Sequence, residues 1–140
     1  MNIQEFYEAF PYPPPGPLNV TTIPGLPSDF VAINHYVFGG RWTRDKPFRV
    51  LVAGCGTGLS VTELGQQLVA MGVPFSMLCI DVSSASLEIA RARAASAGLS
   101  ELVVFQCRAI ETLETEAAYS FDYIDLTGVL NHVEDPARAL

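Results

Sequence analysis

From residue 48 onward, compact aliphatic runs alternate with amphipathic stretches. Residues 49–53 (RVLVA), 75–80 (FSMLCI), 102–106 (LVVFQ) and 121–126 (FDYIDL) are short and rich in branched or aromatic side chains, the pattern of buried parallel strands. Residues 59–71 place Leu64, Leu68 and Met71 on one helical face, and Gly72 closes that helix. A second helix starts from a cap at Ser83 or Ser84 and runs to about Ala97, with Leu87, Ala90 and Ala94 inward and Gly98 as its stop. A short helix is expected over 111–118, and Pro136 fits the first turn of another. The order βαβαβαβ predicts an α/β fold: a Rossmann-like parallel sheet with helices on both faces and right-handed crossovers. Its ligand site should lie beyond the C-terminal strand ends, where the strand order reverses.

The first 46 residues read differently. Prolines crowd residues 11–27 (PYPPPGPLNVTTIPGLP), fixing φ and removing donors, so this segment is an extended arm. It reads as a linker or a strap over the domain surface in preference to a proline-motif ligand. Residues 28–40 predict a short helix capped by Ser28 or Asp29, carrying Phe30, Val31, Ile33, Asn34 and Val37, and stopped by Gly39-Gly40. The chain thus divides into an arm with a short helix over 1–46 and a core over 47–140.

Composition narrows the function classes. The 140 residues are 49 % apolar and 16 % charged, enough for one packed domain. No apolar run spans a bilayer, and no basic segment precedes an apolar one at the N-terminus, so the reading is a cytoplasmic protein without a membrane partner. A net charge of −7 disfavours nucleic acid as a partner. Cys55, Cys79 and Cys107 form no CxxC pair, and His35 and His132 are scattered. They read as buried thiols in a reducing compartment, with no metal site.

The strongest chemical signal is VLVAGCGTG, residues 50–58. Gly54, Gly56 and Gly58 stand between a strand and a helix, where missing side chains permit a sharp turn and close approach of a ligand. Main-chain N–H groups there are expected to face the ligand and to favour an anion. The spacing is G-x-G-x-G; Leu59 stands where a dinucleotide fingerprint has its third glycine, which argues against a nicotinamide cofactor. Asp81 ends the second strand. Its carboxylate can accept from both hydroxyls of a ribose or can cap the following helix, and beside the glycine bend the ribose reading is favoured.

At these residues the sequence resembles the class I S-adenosylmethionine-dependent methyltransferases. VLVAGCGTG is similar to their first motif, CIDVSSASLEIARARA to their second and FDYIDLTGVLNHVEDP to their fourth. The resemblance implies S-adenosylmethionine as cofactor, lying along Gly54, Cys55, Gly56 and Gly58, with its ribose on Asp81 and its adenine on Val82. It places Ala109 and Ile110 in the adenine-contacting turn and Thr127 at a cofactor- or substrate-facing position. Ala53 and Ala109 stand where relatives often carry acids. His132 reads either as a general base or as a structural histidine bonded to Glu134 or Asp135, the latter preferred, so no catalytic residue is named.

The resemblance also implies a sheet ordered 3-2-1-4-5-7-6, of which only strands 1 to 4 are visible. The chain therefore reads as the truncated, cofactor-binding half of a methyltransferase, inactive alone, whose acceptor is an unknown small molecule or protein. The alternative is a non-catalytic S-adenosylmethionine-binding or regulatory module. An uncovered strand-4 edge predicts homo-oligomer formation or marginal stability.

Overall fold

A computed structural model describes residues 2–16, 28–113 and 120–139. The elements are α1 (Ile3–Ala9), α2 (Phe30–Tyr36), β1 (Phe48–Ala53), α3 (Leu59–Ala70), β2 (Phe75–Asp81), α4 (Ser84–Ser96), β3 (Val103–Cys107), a 3-10 turn (Ile110–Thr112), β4 (Tyr123–Asp125) and α5 (Pro136–Ala139). The four strands form one parallel sheet ordered β3-β2-β1-β4. Val50 stands between Met77 and Tyr123, so β1 is central. This is the 3-2-1-4 arrangement that the resemblance implied.

Alternation along β1 divides the core into two layers. Phe48, Val50 and Val52 pack with Phe30 and Ile33 of α2, Val61, Leu64 and Leu68 of α3, and Leu87 and Ala94 of α4. Leu51 and Ala53 point the other way and, with Leu78 and Ile80, are covered by Ile110, Leu113, Phe121 and Leu126. Phe48 centres an aromatic cluster, with ring centroids 5.1 Å from Phe30 and 4.9 Å from Trp42, and stacked 6.3 Å from Tyr123.

The helix boundaries follow their capping chemistry. Ser83 caps α4 through Ser86 N–H, and Asp29 caps α2 through Val31 and Ala32 N–H. The seven residues of α2 bury Phe30 and Ile33, one turn apart, while Val31 and the C-cap Val37 are exposed. Asn2 and Glu5 form a reciprocal capping box (2.8 and 3.0 Å) that starts α1, where no element was read from the sequence. Of the helix expected over 111–118, residues 110–112 form a single 3-10 turn, and residues 114–118 lie outside the described residues. So do residues 17–27 of the proline-rich arm. Among the described residues, no helix is long and apolar enough to cross a membrane.

Where β1 and β4 begin, Arg49 and Asp122 tie them together. Arg49 N–H donates to Asp122 Oδ2 (2.9 Å), Asp122 N–H donates back to the Arg49 carbonyl (2.7 Å), and the guanidinium lies 3.2 Å from Oδ2. Burial alone would raise the Asp122 carboxyl, but the bonds from Arg49 outweigh it and hold it below its usual range. A depressed folded value gives stabilisation that is present above the unfolded value and lost as pH falls through the folded one. The urea midpoint of the wild type is therefore expected to fall more steeply below about pH 4 than that of Asp122→Asn. Parallel acid limbs would remove this role. In the core, Leu64→Ala should cost about 2–5 kcal/mol of unfolding free energy by urea titration, since Leu64 is fully buried between α3 and the sheet. A loss near zero would contradict that packing.

Candidate functional site

The chain must reverse between Ala53, the last residue of β1, and Leu59, the first of α3. Gly54 (φ +69°) and Gly56 (φ +52°) make this turn in the left-handed region that side chains disfavour. Each is also approached by another part of the chain. A Cβ on Gly54 would collide with Cγ2 of Val129, and one on Gly56 would stand 2.6 Å from the Tyr12 carbonyl. Gly58 begins α3 against Ala90 of α4, to which a Cβ would come within 2.9 Å.

The expectation of free N–H groups facing an anion is not met. Gly54 and Cys55 donate to the Ile80 carbonyl (2.8 and 3.0 Å), Gly56 to Asp81 Oδ2 (2.8 Å), Thr57 to the Tyr12 carbonyl (3.2 Å) and Gly58 to the Cys55 carbonyl (2.9 Å). A turn this enclosed must pair its donors inside the protein. The bend gives a ligand room, and the polar grip has to come from elsewhere.

Asp81 supplies it. Its Oδ1 accepts from Ser83 N–H (2.9 Å) and its Oδ2 from Gly56 N–H (2.8 Å). Two backbone donors thus fix the carboxylate at the end of β2, and each oxygen retains acceptor capacity. Ser83, and not Asp81, provides the side-chain cap of α4.

A cavity of about 570 Å³ opens at this strand end. Its walls include Gly54, Gly56, Asp81, Val82, Ala109, Ile110 and Thr127. Cys55 and Gly58 are not among them: Cys55 is buried in the core, and Gly58 packs on Ala90. Burial pushes the Cys79 thiol well up. Cys107 is exposed, contrary to the expectation of three buried thiols. Thr127 donates its N–H and hydroxyl to Asp125 Oδ1 (2.9 and 2.6 Å), and Ser28 donates to Oδ2 of the same buried carboxylate (3.1 Å).

Other residues also line the cavity, and of these Tyr7, Tyr12 and Glu111 carried no local signal in the sequence. Tyr7 and Tyr12 come from the N-terminal segment, Arg108 and Glu111 from the turn after β3, and His132 from the loop after β4. The Asn2–Glu5 capping spacing could have located α1, but not its position over the cavity. His132 Nε2 lies 3.4 Å from Tyr7 Oη and 3.2 Å from Asn131 Nδ2, with the Tyr7 ring edge-on at 6.0 Å. These are its ring's contacts, where bonds to Glu134 or Asp135 were expected.

Residues 44–140 match a family model described as a methyltransferase domain. The chain belongs to this methyltransferase family. S-adenosylmethionine is the cofactor that goes with the family, and the residues present suit it: an anchored carboxylate for a ribose, apolar Val82 and Ile110 for a base, and a cavity of ligand size. An uncharacterized protein of Synechococcus sp. is 31 % identical over 99 % of this chain and 32 % of its own length. A ubiquinone biosynthesis O-methyltransferase of Neisseria meningitidis serogroup C is 33 % identical over 73 % of this chain and 40 % of its own. Among solved structures, the [4+2]-cyclase SpnF superposes with a TM-score of 0.56 at 29 % identity, covering 74 % of this chain and 36 % of that one. The chain thus spans well under half of each of these proteins.

The packing at the bend has a measurable consequence. Gly54→Ala should destabilise the protein in urea by about 1–3 kcal/mol, from strain and overlap with Val129. Val129→Ala in the same chain should recover part of that loss. Strictly additive effects would show that the two sites do not meet.

Proposed function

We propose that this chain is the donor-binding part of an S-adenosylmethionine-dependent O-methyltransferase. The observation that carries the reading is one cavity bounded by the side-chain-free bend and by a carboxylate that two backbone N–H groups hold in place. Asp81 accepts from the ribose hydroxyls. Val82 and Ile110 pack on the adenine, and Glu111 supplies, from the same wall, the carboxylate that Ala109 lacks. Gly54, Gly56 and Thr127 border the remainder of the cofactor. When bound, S-adenosylmethionine supplies a methyl group on a sulfonium, already an activated electrophile. The protein's work is then to align an acceptor and exclude water.

An oxygen acceptor is favoured by the O-methyltransferases among the relatives and by His132 on the cavity wall. Its imidazole is the group there that can take the proton leaving an acceptor hydroxyl. A second reading, a module that binds the cofactor without transferring its methyl group, draws on the likeness to a [4+2]-cyclase and on alanine at position 53. In a version extended to the length of the relatives, methyl transfer to an acceptor hydroxyl separates the two readings.

Calorimetric titration with S-adenosylhomocysteine tests the cofactor site. The wild type should bind, and Asp81→Ala should bind about ten- to a hundredfold more weakly, as expected for hydrogen bonds lost from a charged acceptor. Asp81→Asn, which keeps one acceptor oxygen, should fall between. No binding by the folded wild type, or equal affinities across the series, contradicts the assignment.

A further inference from the structure

Helix α1 forms one wall of the cavity through Asn2, Ile3, Gln4 and Tyr7, yet none of its residues is buried. It is held by polar contacts. Glu8 Oε1 accepts from Ser84 N–H (2.6 Å), and Oε2 accepts from Ala85 N–H (3.2 Å), the first two residues of the thirteen-residue α4. Ser83 Oγ donates to the Tyr7 carbonyl (3.2 Å), and Tyr7 Oη lies 3.4 Å from His132. The segment that follows is fixed separately. Thr57 donates from its N–H to the Tyr12 carbonyl and from its hydroxyl to the Pro13 carbonyl (2.7 Å), while Arg93 donates to the Pro14 carbonyl (3.0 Å). Only Phe10 and Pro11 separate the helix from this anchored strap.

We propose that α1 is a lid over the cofactor cavity, latched by Glu8 on the first turn of α4 and hinged at Phe10–Pro11 against the strap. An element with no buried apolar face opens at low cost, so its closure depends on the contacts it makes when shut. A carboxylate on the free N–H groups of a long helix is a charge-assisted contact that also meets the positive end of the helix dipole. Those backbone bonds, Ser84 first, hold the Glu8 carboxyl below its usual range. Closure also sets Tyr7 against His132, so one movement covers the donor and completes the transfer end. The latch stands on the contacts alone; that the lid retains S-adenosylmethionine rests on the function proposed above.

Two variants break the latch from opposite sides. Glu8→Ala removes the acceptor. Ser84→Pro removes a donor without altering α1, at a first helical position where proline is favoured and after an extended Ser83 (ψ 114°) that tolerates it. In hydrogen exchange on the full chain without ligand, α1 amides should exchange about three- to tenfold faster in both variants, with β1 and β2 unchanged. Stopped-flow dissociation of S-adenosylhomocysteine should accelerate by a similar factor. Unchanged α1 exchange in both variants overturns the latch. Faster exchange with an unchanged dissociation rate overturns the lid. A wild type that binds no S-adenosylhomocysteine defeats the cofactor reading instead, and the exchange comparison still decides the latch.

Discussion

The hydrogen bond from Gly56 N–H to Asp81 joins the two parts on which the rest of the site depends. It adds a side-chain tie to the backbone bonds that already hold the bend after β1 to the end of β2. With it, the Asp81 carboxylate and the bend are held as one piece. Parallel pairing of β1 with β2 brings the two ends level, because Ala53 is in register with Ile80. The Ile80 carbonyl then accepts from Gly54 and Cys55 and closes the junction. Strand register, two glycines and one acid are thus parts of a single arrangement.

Much of the fold was legible because it is written in local periodicity. Leu64 and Leu68 at helical spacing, the aliphatic run at 49–53, and a serine cap at 83 or 84 each act over a few residues, and the structure has a helix, a strand and a cap at those places. The glycine bend was legible as a bend. Its reason was only half visible, since Gly54 must yield to Val129 and Gly56 to the Tyr12 carbonyl, neighbours distant in sequence. The donors expected to face a ligand are occupied for the same cause: contacts from β2 and from the arm reach them first.

Helix α1 escaped the sequence reading for a related reason. Seven residues with none buried leave no apolar stripe to detect, and only the Asn2–Glu5 capping pair marks the start. Its function lies in where it is placed. Glu8 and Tyr7 take their meaning from Ser84 and His132, far along the chain. Likewise, His132 gave no hint that its neighbour would be a tyrosine from the N-terminus. A fold that supports both O-methyltransferases and a cyclase among its relatives is defined at such positions more than in its sheet.

The most direct measurement of the central claim is a crystal structure of this chain with S-adenosylhomocysteine. Both ribose hydroxyls are expected within hydrogen-bond distance of the Asp81 carboxylate, with the bond from Gly56 N–H to that carboxylate intact. A ligand seated away from Asp81, or a carboxylate that abandons Gly56 to reach the sugar, would contradict it.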